Sequence, residues 1–143
     1  MQSDYPILLR AILLLAGLGI TFLGIDNAFG GMATLGWQGP TDFFQVTSER
    51  AFALRDSHIR FISGVWLAIG LVFCLAALRP DRLGEVIITL CGLIFIGGLL
   101  RFTQGDPGLL VSPDLIGSLL FELLLFPALG LWLYRIARKP PAA

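Results

Sequence analysis

Glu122 is an ionisable side chain set inside a long apolar run, about eight residues past its start and so roughly 12 Å along a helix. A carboxylate in hydrocarbon is expensive, and such groups face a bundle interior or a water-filled cavity and find a partner. Arg101 ends the preceding apolar run and is the natural partner, because only a short connection joins the two runs. The pair has two readings. It is either a buried ion pair or protonated glutamate locking two helices, or a site for proton handling or polar-ligand binding.

Asp56, His58 and Arg60 cluster where another apolar run begins, and Asp26 with Asn27 lies where the first run ends. Together with Arg101 and the deeper Glu122 they make a candidate polar binding cluster, expected at one end of a helical bundle. His58 is the single histidine. Such a side chain titrates near neutral pH when free, yet a lone interfacial histidine is more often a simple hydrogen-bonding group. No spacing suggests a Ser-His-Asp or Cys-His arrangement, so no catalytic residue is assigned and acyl transfer has weak support. Cys74 and Cys91 lie inside apolar runs and read as small packing residues. No CxxC or HExxH occurs, and one histidine does not make a metal site. No metal and no cofactor motif are expected; a quinone or a lipid is the bound group the reading leaves open.

The elements that must position these residues are membrane spans. Of 143 residues 56% are hydrophobic and 14% charged, against roughly 25% charged in soluble domains. The charges gather between long apolar runs, which is the pattern of a chain that crosses a bilayer. Net charge is zero and no basic stripe is present, which sets nucleic-acid binding aside. The length suits one domain, 1–143.

Four spans are predicted, about 7–25, 61–78, 83–100 and 115–134, so the fold class is an all-α, four-helix transmembrane bundle. Nineteen residues in the first give roughly 28 Å, close to a hydrocarbon core. Arg10 near its start is expected to snorkel to the headgroups. The run is longer than a signal-peptide h-region, and span one is read as retained. Arg79, Pro80, Asp81 and Arg82 should form a tight interfacial turn. Pro127, inside span four, should kink that helix or be absorbed by its neighbours.

An even number of spans puts both termini on one side, with Arg10, Arg79, Arg82, Arg135, Arg138 and Lys139 there and Arg50, Arg55, Arg60 and Arg101 opposite. This bias points to cytoplasmic termini. The opposite side carries the long connection from Asp26 to Arg60. Its first part is rich in turn formers and holds Trp37, an interface anchor. Its second part, 41–57, reads as an amphipathic helix with its N-cap at Thr41 or Asp42, lying on the membrane surface or capping the bundle as a lid over helix ends before it feeds span two. Glycines within the spans, including the small-xxx-small run from Gly64 to Ala68, mean helix packing and not phosphate loops.

The segments Asp26-Asn27-Ala28-Phe29-Gly30-Gly31, Gly36-Trp37-Gln38-Gly39-Pro40 and Asp56-Ser57-His58-Ile59-Arg60-Phe61 recur in a familiar order with Gly64, Gly97-Gly98, Arg101, Glu122 and Pro127. From about Leu8 to Tyr134 the chain resembles the bacterial four-helix membrane proteins grouped as domain of unknown function 4345. The resemblance implies a bacterial inner-membrane protein without an assigned activity. A fainter similarity in size and helix count links it to the DoxX-like membrane proteins, some of which associate with quinone or thiosulfate metabolism, and fold alone carries no function.

Three readings of function follow. The first is a non-enzymatic bundle, self-associating as a homo-oligomer or serving as accessory subunit of a larger membrane complex, with a polar site at its non-cytoplasmic end for a lipid headgroup, a quinone or another small molecule. The second is a small dimeric transporter exchanging protons at Glu122, although known four-span exporters carry their glutamate in the first span. The third is a quinone- or lipid-linked membrane enzyme holding a polar headgroup with His58, Arg60 and Arg101.

Overall fold

Pro6 opens the first helix, as a residue with no N–H to satisfy suits a helix start. Its carbonyl accepts the first bond, from Arg10 N–H at 3.2 Å. The structure, a computed structural model, describes residues 5–33 and 46–138. Among them are four long helices and no strand: α1 (Ile7–Gly30), α2 (Glu49–Leu78), α3 (Pro80–Leu100) and α4 (Pro113–Ala137). Each is long and apolar enough to cross a membrane. Large apolar side chains such as Leu15 (69% exposed), Phe61 (71%) and Leu131 (59%) stand on their outer faces. Water would not tolerate so much exposed hydrocarbon, whereas lipid does. The fold is therefore all-α and that of a membrane protein, as expected.

The chain divides into two units, one of Pro6–Arg79 and one beginning at Pro80. In the first, α1 and α2 run antiparallel. α1 buries Leu9, Leu13, Gly17, Ile20 and Gly24, a spacing of three and four residues that defines one helix face. α2 buries Ser63, Gly70, Phe73, Ala76 and Ala77. Glycine lets the two backbones touch. A Cβ on Gly24 would stand 2.5 Å from Leu67 N, and one on Gly17 would stand 2.7 Å from Cys74 N. The seam thus runs through Gly17, Gly24 and Gly70. Gly64, the small residue singled out by pattern, faces outward with nothing within 4 Å of its absent Cβ.

In the second unit α3 buries Ile87, Cys91, Ile94 and Gly98. These meet Glu122, Phe126, Leu129, Gly130 and Leu133 of α4, and the contacts of Gly98 with Glu122 and of Gly130 with Cys91 set the two helices antiparallel. A 3₁₀ turn, Arg101–Gln104, closes α3 and ends on Gly105 at φ 72°. A short helical turn, Pro107–Leu110, follows under an Asp106 cap, whose Oδ1 accepts from Leu109 N–H at 3.1 Å.

Several expectations change. α1 reaches Gly30, so Asp26 and Asn27 lie in its last turns instead of beyond its end. Of the surface helix expected over 41–57, residues 41–45 lie outside the described residues, residues 46–48 are non-helical, and 49–57 form the start of α2, which runs unbroken from Glu49 to Leu78. Ser48 caps it, accepting from Ala51 N–H at 3.4 Å, and neither glycine nor proline interrupts it before Gly64. Trp37, the proposed caps Thr41 and Asp42, and Lys139 lie outside the described residues. The turn after α2 is shorter than expected, a single residue, Arg79, because Pro80 already stands in the first turn of α3. Arg10 reaches across to α2. Its Nε donates to Ala77 O at 2.9 Å and its Nη2 to Leu78 O at 3.3 Å, capping the end of α2.

Candidate functional site

The proline in α4 sets the geometry of its carboxylate. Pro127 has no N–H to offer the Leu123 carbonyl, and its ring crowds that oxygen in a regular α-helix. α4 resolves this by widening into a π-helical turn over Phe121–Leu125, with Phe126 N–H bonded to Phe121 O. The proline is thus absorbed within its own helix, and Glu122 lies at the start of the wide turn. Such turns are frequent at functional positions.

Glu122 is turned inward, its side chain 11% exposed, and it is held from α3. Arg101 Nε donates to Oε2 at 2.7 Å and Nη2 to Oε1 at 2.6 Å, a side-on, two-bond grip across 21 residues of sequence. This arrangement is the strongest that arginine makes with a carboxylate. Room for it comes from Gly98, where a Cβ would stand 2.8 Å from Glu122 Cβ and 3.2 Å from Oε2. The cation is less enclosed than the anion, with 38% of the Arg101 side chain exposed.

Within the first unit, Asp56 and Arg60 share one face of α2, one turn apart, with Arg60 Nε donating to Asp56 Oδ2 at 2.6 Å. Both close the end of α1. Arg60 Nη1 donates to the carbonyls of Ala28 and Phe29, each at 2.8 Å, and Asp56 Oδ1 accepts from Met32 N–H at 2.8 Å. Gly31 makes this closure fit. It has φ 61° and ψ −145°, and a Cβ there would collide with Asp56 Oδ1. The cluster is a helix-end clamp.

His58 is exposed and lies between Asp56 and Arg60 in sequence, about 200° around the helix from each, so it takes no part in the clamp. Asp26 has a buried Oδ2 with no hydrogen-bond partner among the described residues. The six candidates thus yield two joined pairs, Asp56 with Arg60 and Arg101 with Glu122. No group of three or more potential metal ligands occurs among the described residues.

Sequence reasoning named Gly31 and Gly98 without the close contacts they allow, and it missed the capping role of Arg10. Gly98 had a signal, since it lies three residues before Arg101 on the same helix face. The wide turn had one too, in the five-residue spacing of Glu122 and Pro127. Arg10 had none, because its targets are carbonyls 67 and 68 residues away.

No curated protein and no solved structure matches the chain. A family profile does, over residues 8–133, and takes in both joined pairs together with Gly31, Gly98 and Pro127. The chain therefore belongs to the family described as domain of unknown function (DUF4345).

Proposed function

We propose that this chain is a non-enzymatic bundle of a bacterial inner membrane that acts by association, as a homo-oligomer or as accessory subunit of a larger complex. The observation that carries the reading is the distribution of glycine. Gly17, Gly24, Gly70 and Gly98 are spent on contacts inside the units, while Gly19, Gly64, Gly92, Gly97 and Gly117 have open space where a Cβ would stand. Outward small residues let another helix approach closely in lipid, where tight packing replaces the hydrophobic effect as the driving force.

Native mass spectrometry of the full chain in mild detergent tests this. The expected result is a mass above that of one chain, reduced by Gly64→Leu or Gly97→Leu. A monomer in every detergent that keeps the helices intact would sink the reading.

Cytoplasmic termini are proposed on the charge bias of Arg10, Arg79, Arg82, Arg135, Arg138 and Lys139. Terminal tags reached only from the periplasm would contradict it. Proton exchange at Glu122 is the less favoured function, because Arg101 engages both carboxylate oxygens. A lipid- or quinone-linked enzyme built on His58 is also less favoured, since that side chain stands apart from the Asp56 and Arg60 pair.

A further inference from the structure

Of the guanidinium groups that hold this fold together, Arg60 and Arg101 are both partly exposed, at 43% and 38% of the side chain. Both keep N–H donors free, in unequal number. Arg60 places Nε on a carboxylate and Nη1 on two carbonyls. Arg101 spends Nε and Nη2 on Glu122, and its Nη1 has no partner among the described residues. Arginine carries five N–H donors, so three remain to Arg101 against two to Arg60, and those of Arg101 are fixed in direction by the two-bond grip behind them.

The pair is also polarised, with the anion enclosed and the cation toward the outside. Its depth selects what it meets. α3 has 21 residues, roughly 31 Å of helix, and Arg101 follows directly, so a helix that spans a hydrocarbon core of about 30 Å brings this guanidinium to headgroup level. The carboxylate nearest in sequence beyond the span, Asp106, has one oxygen committed to its own helical cap.

We propose that Arg101, oriented by Glu122, binds a phosphate oxygen, supplied by the headgroup of an anionic phospholipid. Glu122 is the positioning residue of this site, and Arg101 supplies the contact. The inference rests on the chain being in a bilayer and not on its self-association. A monomer that retains the lipid separates the two.

The test uses the full chain in mild detergent, titrated with phosphatidylglycerol and read by native mass spectrometry. Wild-type protein should carry one tightly held lipid, and Arg101→Gln should weaken that binding about tenfold. Because Arg101→Gln strands a buried carboxylate and can fail to fold, the double variant Arg101→Gln with Glu122→Gln is measured beside it. A helical double variant that loses the lipid supports the site. Arg82→Gln, which removes an interfacial arginine at the start of α3, should keep it. Equal binding by wild type and the folded double variant overturns the proposal, as does equal loss in Arg82→Gln. Displacement by millimolar inorganic phosphate would identify a soluble phosphate as the source; resistance to it supports the lipid.

Discussion

Arg10 and Arg60 cap each other's helices: Arg10 of α1 donates to the last carbonyls of α2, and Arg60 of α2 donates to the last carbonyls of α1. Helix ends leave carbonyls without intrahelical partners and concentrate partial negative charge, so a guanidinium suits each. The antiparallel pair is thereby closed at both ends. Arg60 has the larger task, since it also neutralises Asp56. Replacing Arg60 by Ala should cost about 1–3 kcal/mol and Arg10 by Ala about 1 kcal/mol, read from loss of helicity in a detergent-denaturation titration. Equal losses would show that the Asp56 contact adds nothing.

Gly31→Ala should destabilise the first unit by about 2 kcal/mol or more. The positive φ disfavours any side chain, and the added methyl collides with Asp56 Oδ1. Gly19→Ala, at an open position inside α1, should cost nothing and stabilise the helix by up to about 1 kcal/mol. The same titration measures both, and comparable effects would count against the clamp.

Adjacent glycines on α3 should behave oppositely. Gly98→Ala places a methyl against Glu122 and should weaken the ion pair, whereas Gly97→Ala meets nothing within 4 Å and should leave it intact. A double-mutant cycle on Arg101→Gln and Glu122→Gln should give a coupling of about 1–3 kcal/mol in wild type and Gly97→Ala backgrounds, and less with Gly98→Ala.

Pro127→Ala restores the missing N–H and lets the turn over Phe121–Leu125 tighten to an α-helical one. Losing the extra residue from the turn rotates Glu122 by about 100° relative to the segment that follows. The coupling between Arg101 and Glu122 should fall to roughly half or less of its wild-type value. An unchanged coupling would mean that contacts with α3, and not the proline, hold the wide turn open.

Four spans were legible from the sequence because apolar run length is a local property and bilayer thickness supplies the ruler. The partnership of Glu122 with Arg101 was legible for a related reason: a carboxylate in hydrocarbon demands a cation, and few positions offered one. Tertiary structure decided what no local pattern encodes. It placed Gly17, Gly24, Gly70 and Gly98 at contacts and left Gly64 outside, although all carry the same absence of a side chain. It gave Arg10 the end of α2 to cap, made residues 49–57 part of α2, and set His58 apart from its sequence neighbours. Each of these depends on which faces of two helices meet. Sequence spacing constrains a face on one helix, but only the packed pair determines what that face touches.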